Sequence, residues 1–146
     1  MTEDMPVLKW IKEAAETPDY VGYLASPYSH ANPGIMYQRY RAVLTAQAWL
    51  LDQDVYTYGP IASCHYLHDR FKVRGDHEFW KDFNRRMLSR MNEIIVLTLE
   101  GWEDSVGVQA EREMARTYGK RTVLLPPEAI PDSWECSHLR ASTNKG

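Results

Sequence analysis

The chain has 146 residues, of which 44% are hydrophobic and 25% are charged, as is usual for a globular protein. This length predicts one domain with a substantial core, and a formal charge of −3 argues against general nucleic-acid binding. The sequence has no stretch typical of a signal peptide or long enough to span a bilayer, so we expect a cytoplasmic protein without membrane association.

Hydrophobic periodicity predicts helices and strands that alternate along the chain. Helices are expected at residues 7–16, 34–51, 76–91 and 105–118, and strands at 20–25, 54–58, 93–99 and 121–125. Asp76 is the expected N-cap of its helix, and Gly119 is expected to end the helix before it. Residues 61–75 are predicted to be a long connection with a helical turn near 64–70. The polar tail from residue 128 is expected to be poorly ordered alone or to dock on a partner subunit.

This alternation of short apolar strands with helices is typical of a parallel sheet covered on both faces. We therefore predict an α/β fold: a small doubly wound, flavodoxin-like (Rossmann-like) sheet of four to five strands with helices on both faces. A single domain is expected over residues 1–146. Its core spans 20–125, an N-terminal helix lies within 1–19, and a polar tail occupies 126–146.

The loops that follow the first three strands should meet at one edge of the sheet, where ligands bind in open parallel sheets. These loops and their flanks carry hydroxyl, imidazole and carboxylate side chains. They are Tyr23, Ser26, Tyr28, Ser29, Ser63 and Ser105, then His30, His65 and His68, then Asp82, Asp104 and Glu111.

The sequence lacks the motifs that are typical of several kinds of binding or catalytic site. The chain has no Gly-x-Gly-x-x-Gly, P-loop or His-Glu-x-x-His pattern, which argues against dinucleotide, P-loop and zinc-protease sites. His65, His68 and Asp69 are a conceivable metal site, but a polar histidine pair explains them better. Cys64 is a weak candidate nucleophile, because no helix N-terminus is evident beside it.

A pair of carboxylates is the stronger candidate. Glu111 is expected about one turn into the helix after the third strand, where a carboxylate can be a nucleophile, a base or a helix cap. Asp82 lies in the preceding helix and would handle protons on the leaving group, as the second carboxylate of a retaining glycosidase does. The alternative for Asp82 is an exposed helix residue paired with Arg85 or Arg86.

Three short motifs together resemble the nucleoside 2-deoxyribosyltransferase superfamily. Residues 23–28 (Tyr-Leu-Ala-Ser-Pro-Tyr) are similar to that family's first strand and loop, although Ser26 replaces the usual glycine. Residues 107–111 (Gly-Val-Gln-Ala-Glu) are similar to the motif that carries its nucleophilic glutamate, and Asp82 lies where the family places an aspartate. The resemblance covers residues 20–125 and is strongest to nucleotide N-glycosidases and to bacterial and phage members.

The resemblance implies roles for these residues. Glu111 would attack C1′ of a nucleoside or stabilise its oxocarbenium ion, Tyr23 would orient Glu111, and Asp82 would protonate or hold the departing base. Tyr28 would supply a stacking face. The implied substrate-binding residues are Ser26, Tyr28, Ser29, His30, Ser63, His65, Ser105 and Gly107. No metal or organic cofactor is implied, and the resemblance favours a homodimer or homotetramer that takes a small nucleotide or nucleoside.

The residue type at position 105 indicates which class of substrate to expect. Nucleoside transferases of this superfamily carry an aspartate at this position, whereas relatives that hydrolyse monophosphates carry a serine. A carboxylate would repel a phosphate, whereas a hydroxyl at a helix N-terminus adds to the free amides and the helix dipole. Alternatively, Ser105 is only the helix N-cap, and Asp104 beside it still brings a negative charge.

We therefore expect hydrolysis of the N-glycosidic bond of a nucleoside 5′-monophosphate. The alternatives are base exchange by a nucleoside 2-deoxyribosyltransferase, a nucleotide-binding module without turnover, and cleavage of a dinucleotide such as NAD at its glycosidic bond.

Overall fold

Four parallel strands form the centre of the fold. The structure is a computed structural model that describes residues 6–71 and 77–139, except for the side chains of residues 68, 69 and 77. The strands are β1 (Gly22–Ala25), β2 (Thr57–Tyr58), β3 (Glu93–Leu97) and β4 (Thr122–Leu125). Their order in the sheet is β2-β1-β3-β4. This arrangement confirms the predicted α/β, Rossmann-like fold with a parallel sheet.

Six α-helices accompany these strands in the described part of the chain. They are α1 (Val7–Glu16), α2 (Pro33–Asp52), α3 (Pro60–Arg70), α4 (His77–Leu88), α5 (Val106–Thr117) and α6 (Asp132–His138). Helix α1 has the predicted bounds, and α2 and α5 are each within one residue of theirs at both ends. The predicted N-cap of α4, Asp76, lies outside the described residues. None of the six helices is long and apolar enough to cross a membrane.

Side chains that alternate along the strands fill two separate cores, one on each face of the sheet. On one face, Leu24 and Ile95 pack with buried residues of α1 and α2, such as Trp10 and Leu50. On the other face, Tyr23, Ile94 and Val96 are joined by Leu88 of α4 and by Val108 and Ala115 of α5. The period of two therefore directs Tyr23 toward the face that α4 and α5 cover.

Strand β2 is shorter than predicted, and the segment after it is a longer helix. Asp54 has a left-handed backbone, and the Val55 amide donates to the Leu50 carbonyl, so these residues end α2 rather than join the sheet. After β2, Gly59 is the N-cap of α3 and Pro60 occupies its first turn. Proline is well suited to that position, so Gly59-Pro60 both stops the strand and starts a helix.

The described part of the C-terminal tail differs from the expectation of poor order. It contains α6, whose Trp134 packs against the core that α1 and α2 share. The Trp134 indole also donates to Asp52 Oδ2 at 2.9 Å, which attaches α6 to the end of α2. A large aromatic side chain with a satisfied N–H thus orders this segment on its own chain.

A buried carboxylate at the amino end of β3 attaches α1 to the sheet. Glu93 is 3% exposed and accepts hydrogen bonds from Trp10 Nε1 at 2.7 Å and from Tyr20 Oη at 2.6 Å. The Arg121 guanidinium is bound to its other oxygen. Burial and the charge of Glu93 raise the pKa of Tyr20 well above its usual value, so the phenol remains a donor. This cluster is at the edge opposite the carboxyl ends of the strands.

Candidate functional site

Glu111 and Tyr23 form a buried pair between α5 and β1. Glu111 lies in the second turn of α5 and is 8% exposed, which is rare for a carboxylate. Tyr23 Oη donates a hydrogen bond of 2.6 Å to Glu111 Oε2. Among the described residues, Tyr23 is the one hydrogen-bond donor to this carboxylate. The predicted contact between the two residues is therefore present.

Burial controls the protonation of this pair. Loss of solvent raises the pKa of Glu111 from 4.5 to about 7, and the hydrogen bond from Tyr23 opposes part of that rise. Burial and the charge of Glu111 raise the pKa of Tyr23 far above its usual value. Near neutral pH the tyrosine is thus a permanent donor, while the carboxylate exchanges between its neutral and its ionised form. A pKa near the working pH is typical of groups that take part in catalysis.

Tyr58 and Cys64 extend this cluster along the sheet. Tyr58 pairs with Tyr23 in the register of β1 and β2, and the two ring centroids are 6.0 Å apart. Tyr58 Oη lies 4.0 Å from Cys64 Sγ. Burial raises the pKa of the Cys64 thiol, so little reactive thiolate forms at neutral pH. This environment gives no support to the weaker hypothesis that Cys64 is the nucleophile.

One histidine of the predicted binding set, His65, contacts the loop between β1 and α2, and another, His30, lies in that loop. Tyr28 Oη and His65 Nδ1 are 2.6 Å apart, and the His65 ring stacks on Tyr40 with centroids 3.9 Å apart. His30 is exposed, and its Nδ1 accepts a hydrogen bond from the Asn32 amide. The loop is thus held to α3 through Tyr28 and His65. The side chains of His68 and Asp69, which belong to the alternative metal site, lie outside the described residues.

Three serines of the predicted set have contrasting surroundings. Ser26 directly follows β1 and is 5% exposed, and its Oγ is buried without a hydrogen-bond partner among the described residues. Such a hydroxyl costs about 1–3 kcal/mol unless a water or ligand satisfies it. Ser63 is exposed in the first turn of α3. Ser29 is exposed in the loop, and its carbonyl accepts a hydrogen bond from Arg39.

The N-terminus of α5 opens onto the same edge of the sheet. Ser105 is its N-cap, and its Oγ accepts from the Val108 amide at 3.2 Å, which leaves the hydroxyl proton available to another acceptor. The amides of Val106 and Gly107 are in the first turn, where a helix has no acceptor of its own for them, and both residues are exposed. This arrangement suits an anion, although the exposed Asp104 precedes it.

Asp82 lies on α4 in an environment unlike that of Glu111. Its side chain is 52% exposed and binds Arg85 Nη2 at 2.7 Å and Arg86 Nε at 3.2 Å. The hydrogen bond from Arg85, with the charge of Arg86, holds the pKa of Asp82 below its usual value. The structure therefore contains the two ion pairs that the alternative interpretation named. A role for Asp82 in catalysis stays a prediction, and an ionised Asp82 suits a hydrogen-bond acceptor better than an acid.

Three residues near this edge were absent from the sequence-based set: Arg39, Tyr40 and Tyr58. Tyr58 was detectable in principle, because it is the last residue of the second predicted strand and Tyr23 lies in the first. The pairing of their strands was needed to place them together. Arg39 and Tyr40 lie on α2, where helical spacing gives no sign that they contact the loops.

The sequence was also compared with known proteins. Residues 21–126 match the family described as "Domain of unknown function (DUF1937)". No curated protein matches the chain significantly. The matched segment begins just before β1 and ends just after β4, so it contains the whole sheet together with Tyr23, Ser105 and Glu111.

Proposed function

This chain belongs to the DUF1937 family, and we propose that it hydrolyses the N-glycosidic bond of nucleoside 5′-monophosphates. The observation that carries this proposal is the buried Glu111, which is hydrogen-bonded to Tyr23 and lies on a helix whose N-cap is the neutral Ser105. The resemblance of residues 23–28 and 107–111 to the nucleoside 2-deoxyribosyltransferase superfamily supports the same chemistry. The products are a free base and a sugar 5′-phosphate.

The first step uses the ionised form of Glu111. A carboxylate oxygen attacks C1′ and forms a glycosyl ester, while the C1′–N bond breaks and its electron pair leaves with the base. The base nitrogen takes up a proton from the solvent as it departs. Burial favours this step, because a poorly solvated carboxylate is a stronger nucleophile and the developing ester carries no charge. Tyr23 fixes the orientation of the carboxylate through Oε2.

The second step needs one water molecule. Water attacks C1′, the ester bond breaks, and Glu111 is released as a carboxylate, while the water gives up to the solvent the one proton that the base took from it in the first step. The sum of both steps is one nucleoside monophosphate and one water converted into one base and one sugar phosphate. In this proposal Asp82 holds the base through an accepted hydrogen bond, since its arginine partners keep it ionised.

A base-release assay tests the proposal. The protein is incubated with ribo- and deoxyribonucleoside 5′-monophosphates and with the matching nucleosides, and free base is measured by liquid chromatography. We expect base from at least one monophosphate and much less from its nucleoside. Release of base from nucleosides but not from monophosphates would overturn the assignment of a substrate with a 5′-phosphate. A new nucleoside after addition of a second base would indicate transfer rather than hydrolysis. Absence of base from every substrate would contradict the proposal as a whole.

Ser105→Asp should change the preference between phosphate and hydroxyl. Aspartate caps a helix as well as serine does, so the fold should be retained, whereas its charge repels a phosphate. We expect the ratio of kcat/KM for monophosphate over nucleoside to fall by about ten- to a hundredfold, equal to about 1.4–2.8 kcal/mol. Ser105→Thr, which keeps the hydroxyl cap, is the matched control. An unchanged ratio in Ser105→Asp would mean that the phosphate binds elsewhere.

Tyr23→Phe should move the acid limb of the pH–rate profile upward. Its hydroxyl stabilises ionised Glu111, so its loss raises the pKa of Glu111 further above 7, and the nucleophile then forms only at higher pH. A hydrogen bond to a charged group contributes about 1.5–3 kcal/mol, which corresponds to a shift of about one to two pH units. Tyr58→Phe removes a hydroxyl that contacts Cys64 instead, and should shift the limb less. Equal shifts in both variants would contradict the role of Tyr23.

A further inference from the structure

Arg39 makes an unusual set of contacts for a helix residue near the protein surface. Its guanidinium donates to the Ser29 carbonyl at 2.9 Å through Nη1 and to the Glu100 carbonyl at 3.3 Å through Nη2. No carboxylate pairs with it within residues 6–71 and 77–139. The Arg39 guanidinium therefore binds two backbone carbonyl oxygens, those of Ser29 and Glu100, which are 71 residues apart in sequence.

The two carbonyls belong to the loops that follow β1 and β3 at the carboxyl edge of the sheet. Ser29 lies in the loop after β1, with Ser26, Tyr28 and His30, and Glu100 lies in the loop after β3 that leads to Ser105. Both strands end at the same edge of the sheet. The Arg39 side chain thus bridges them.

Gly101 is adapted to this bridge. Its φ is +89°, a left-handed conformation that favours glycine, and a Cβ there would lie 3.1 Å from Arg39 Nη2. The turn after Glu100 therefore passes directly against the guanidinium. A planar group with several fixed donors can hold two carbonyls at a set separation, which a lysine ammonium on a flexible stem does less well.

We propose that Arg39 is a positioning residue that sets the separation of these two loops and hence the space between them in which the sugar phosphate binds. That binding rests on the function proposed above, whereas the bridge itself does not. Arg39 touches no reacting atom in this proposal. It acts by holding Ser29 and its neighbours opposite the N-terminus of α5.

Hydrogen–deuterium exchange tests the bridge without any substrate. In Arg39→Gln, the amides of residues 28–32 and of 99–104 should both exchange about tenfold faster, while β1 and β3 remain protected. Arg41→Gln is the matched control, because Arg41 is an exposed arginine of the same helix whose guanidinium makes no hydrogen bond or ion pair with the described residues. Unchanged exchange in Arg39→Gln, or faster exchange in one loop only, would overturn the proposal.

Kinetics with a monophosphate that the wild type cleaves then test how the bridge affects substrate binding. Misplaced loops should raise KM by about tenfold in Arg39→Gln with kcat changed much less, and Arg39→Lys should be intermediate. Added guanidinium ion should restore part of the affinity in Arg39→Ala but not in a Ser105 variant. A lower kcat with unchanged KM would contradict the positioning role of Arg39. Failure of guanidinium to rescue Arg39→Ala, together with unchanged hydrogen–deuterium exchange in Arg39→Gln, would contradict it as well. If the wild type cleaves no substrate, the proposed function is contradicted, but the exchange experiment still tests whether Arg39 bridges the two loops.

Discussion

Glu111→Gln is expected to lower the rate of base release by about a thousandfold or more, the scale of loss when a nucleophile is removed. The amide has nearly the same size and can still accept the hydrogen bond from Tyr23, but it cannot form the glycosyl ester. The measurement is the initial rate of base release with a monophosphate that the wild type cleaves. Glu113→Gln is the matched control, because Glu113 is an exposed glutamate on the same helix that pairs with Arg116.

Loss of folding would not explain such a result. A carboxyl whose pKa rises from 4.5 to about 7 on folding stabilises the protein below pH 4.5, and this contribution disappears as the pH rises through 7. At pH 8, Glu111→Gln should therefore unfold at the same or a higher denaturant concentration, with a gain of at most about 3 kcal/mol. An inactive variant that is also strongly destabilised would contradict this explanation, as would a variant that keeps more than a tenth of wild-type activity.

Glu93→Ala is expected to destabilise the protein by about 3–5 kcal/mol, which is typical when one partner of a buried ion pair is removed. The change leaves Arg121, Trp10 Nε1 and Tyr20 Oη without their acceptor at the base of β3. Because the free energy of unfolding of a domain is usually about 5–15 kcal/mol, this loss is a large part of the total. Urea unfolding followed by tryptophan fluorescence measures it.

Two further variants show whether the contacts of Glu93 cause this loss. Glu93→Gln keeps an acceptor for the indole and the phenol, so we expect a smaller loss than for alanine. Glu16→Ala removes an exposed glutamate from the end of α1 and should change stability by less than about 0.5 kcal/mol. If Glu93→Ala costs less than about 1 kcal/mol, the cluster does not hold α1 to the sheet.

Much of the fold was predictable because local patterns and tertiary packing agree. The helix at 7–16 and the apolar strands at β1, β3 and β4 have strong periodicity and clear ends. The errors arose where one residue serves two elements. Asp54 and Val55 have strand-like neighbours, but their backbone completes the end of α2, and Pro60 both stops β2 and starts α3. The order of the tail depends on Trp134, whose partner Asp52 is 82 residues away.

The candidate site was predictable only in part. Ser105 is the N-cap of α5 and Glu111 lies within that helix, so the prediction of one helix was enough to place both residues. Outside the site, at the opposite edge of the sheet, the sequence around Glu93 indicates only the polar start of a strand, because its burial depends on Trp10, Tyr20 and Arg121 from three other segments. The contacts of Arg39 depend on the order of strands in the sheet. Helical spacing within α2 does not contain that information.

Covalent labelling tests the role of Glu111 most directly. A nucleoside 5′-monophosphate with fluorine at C2′ destabilises positive charge at C1′ and should slow release of the sugar from the enzyme, and peptide mass spectrometry then locates the adduct. The sugar phosphate is predicted on the peptide that contains Glu111, with no adduct in Glu111→Gln. An adduct on any other residue, or equal labelling of Glu111→Gln, would contradict the assignment of Glu111 as the nucleophile.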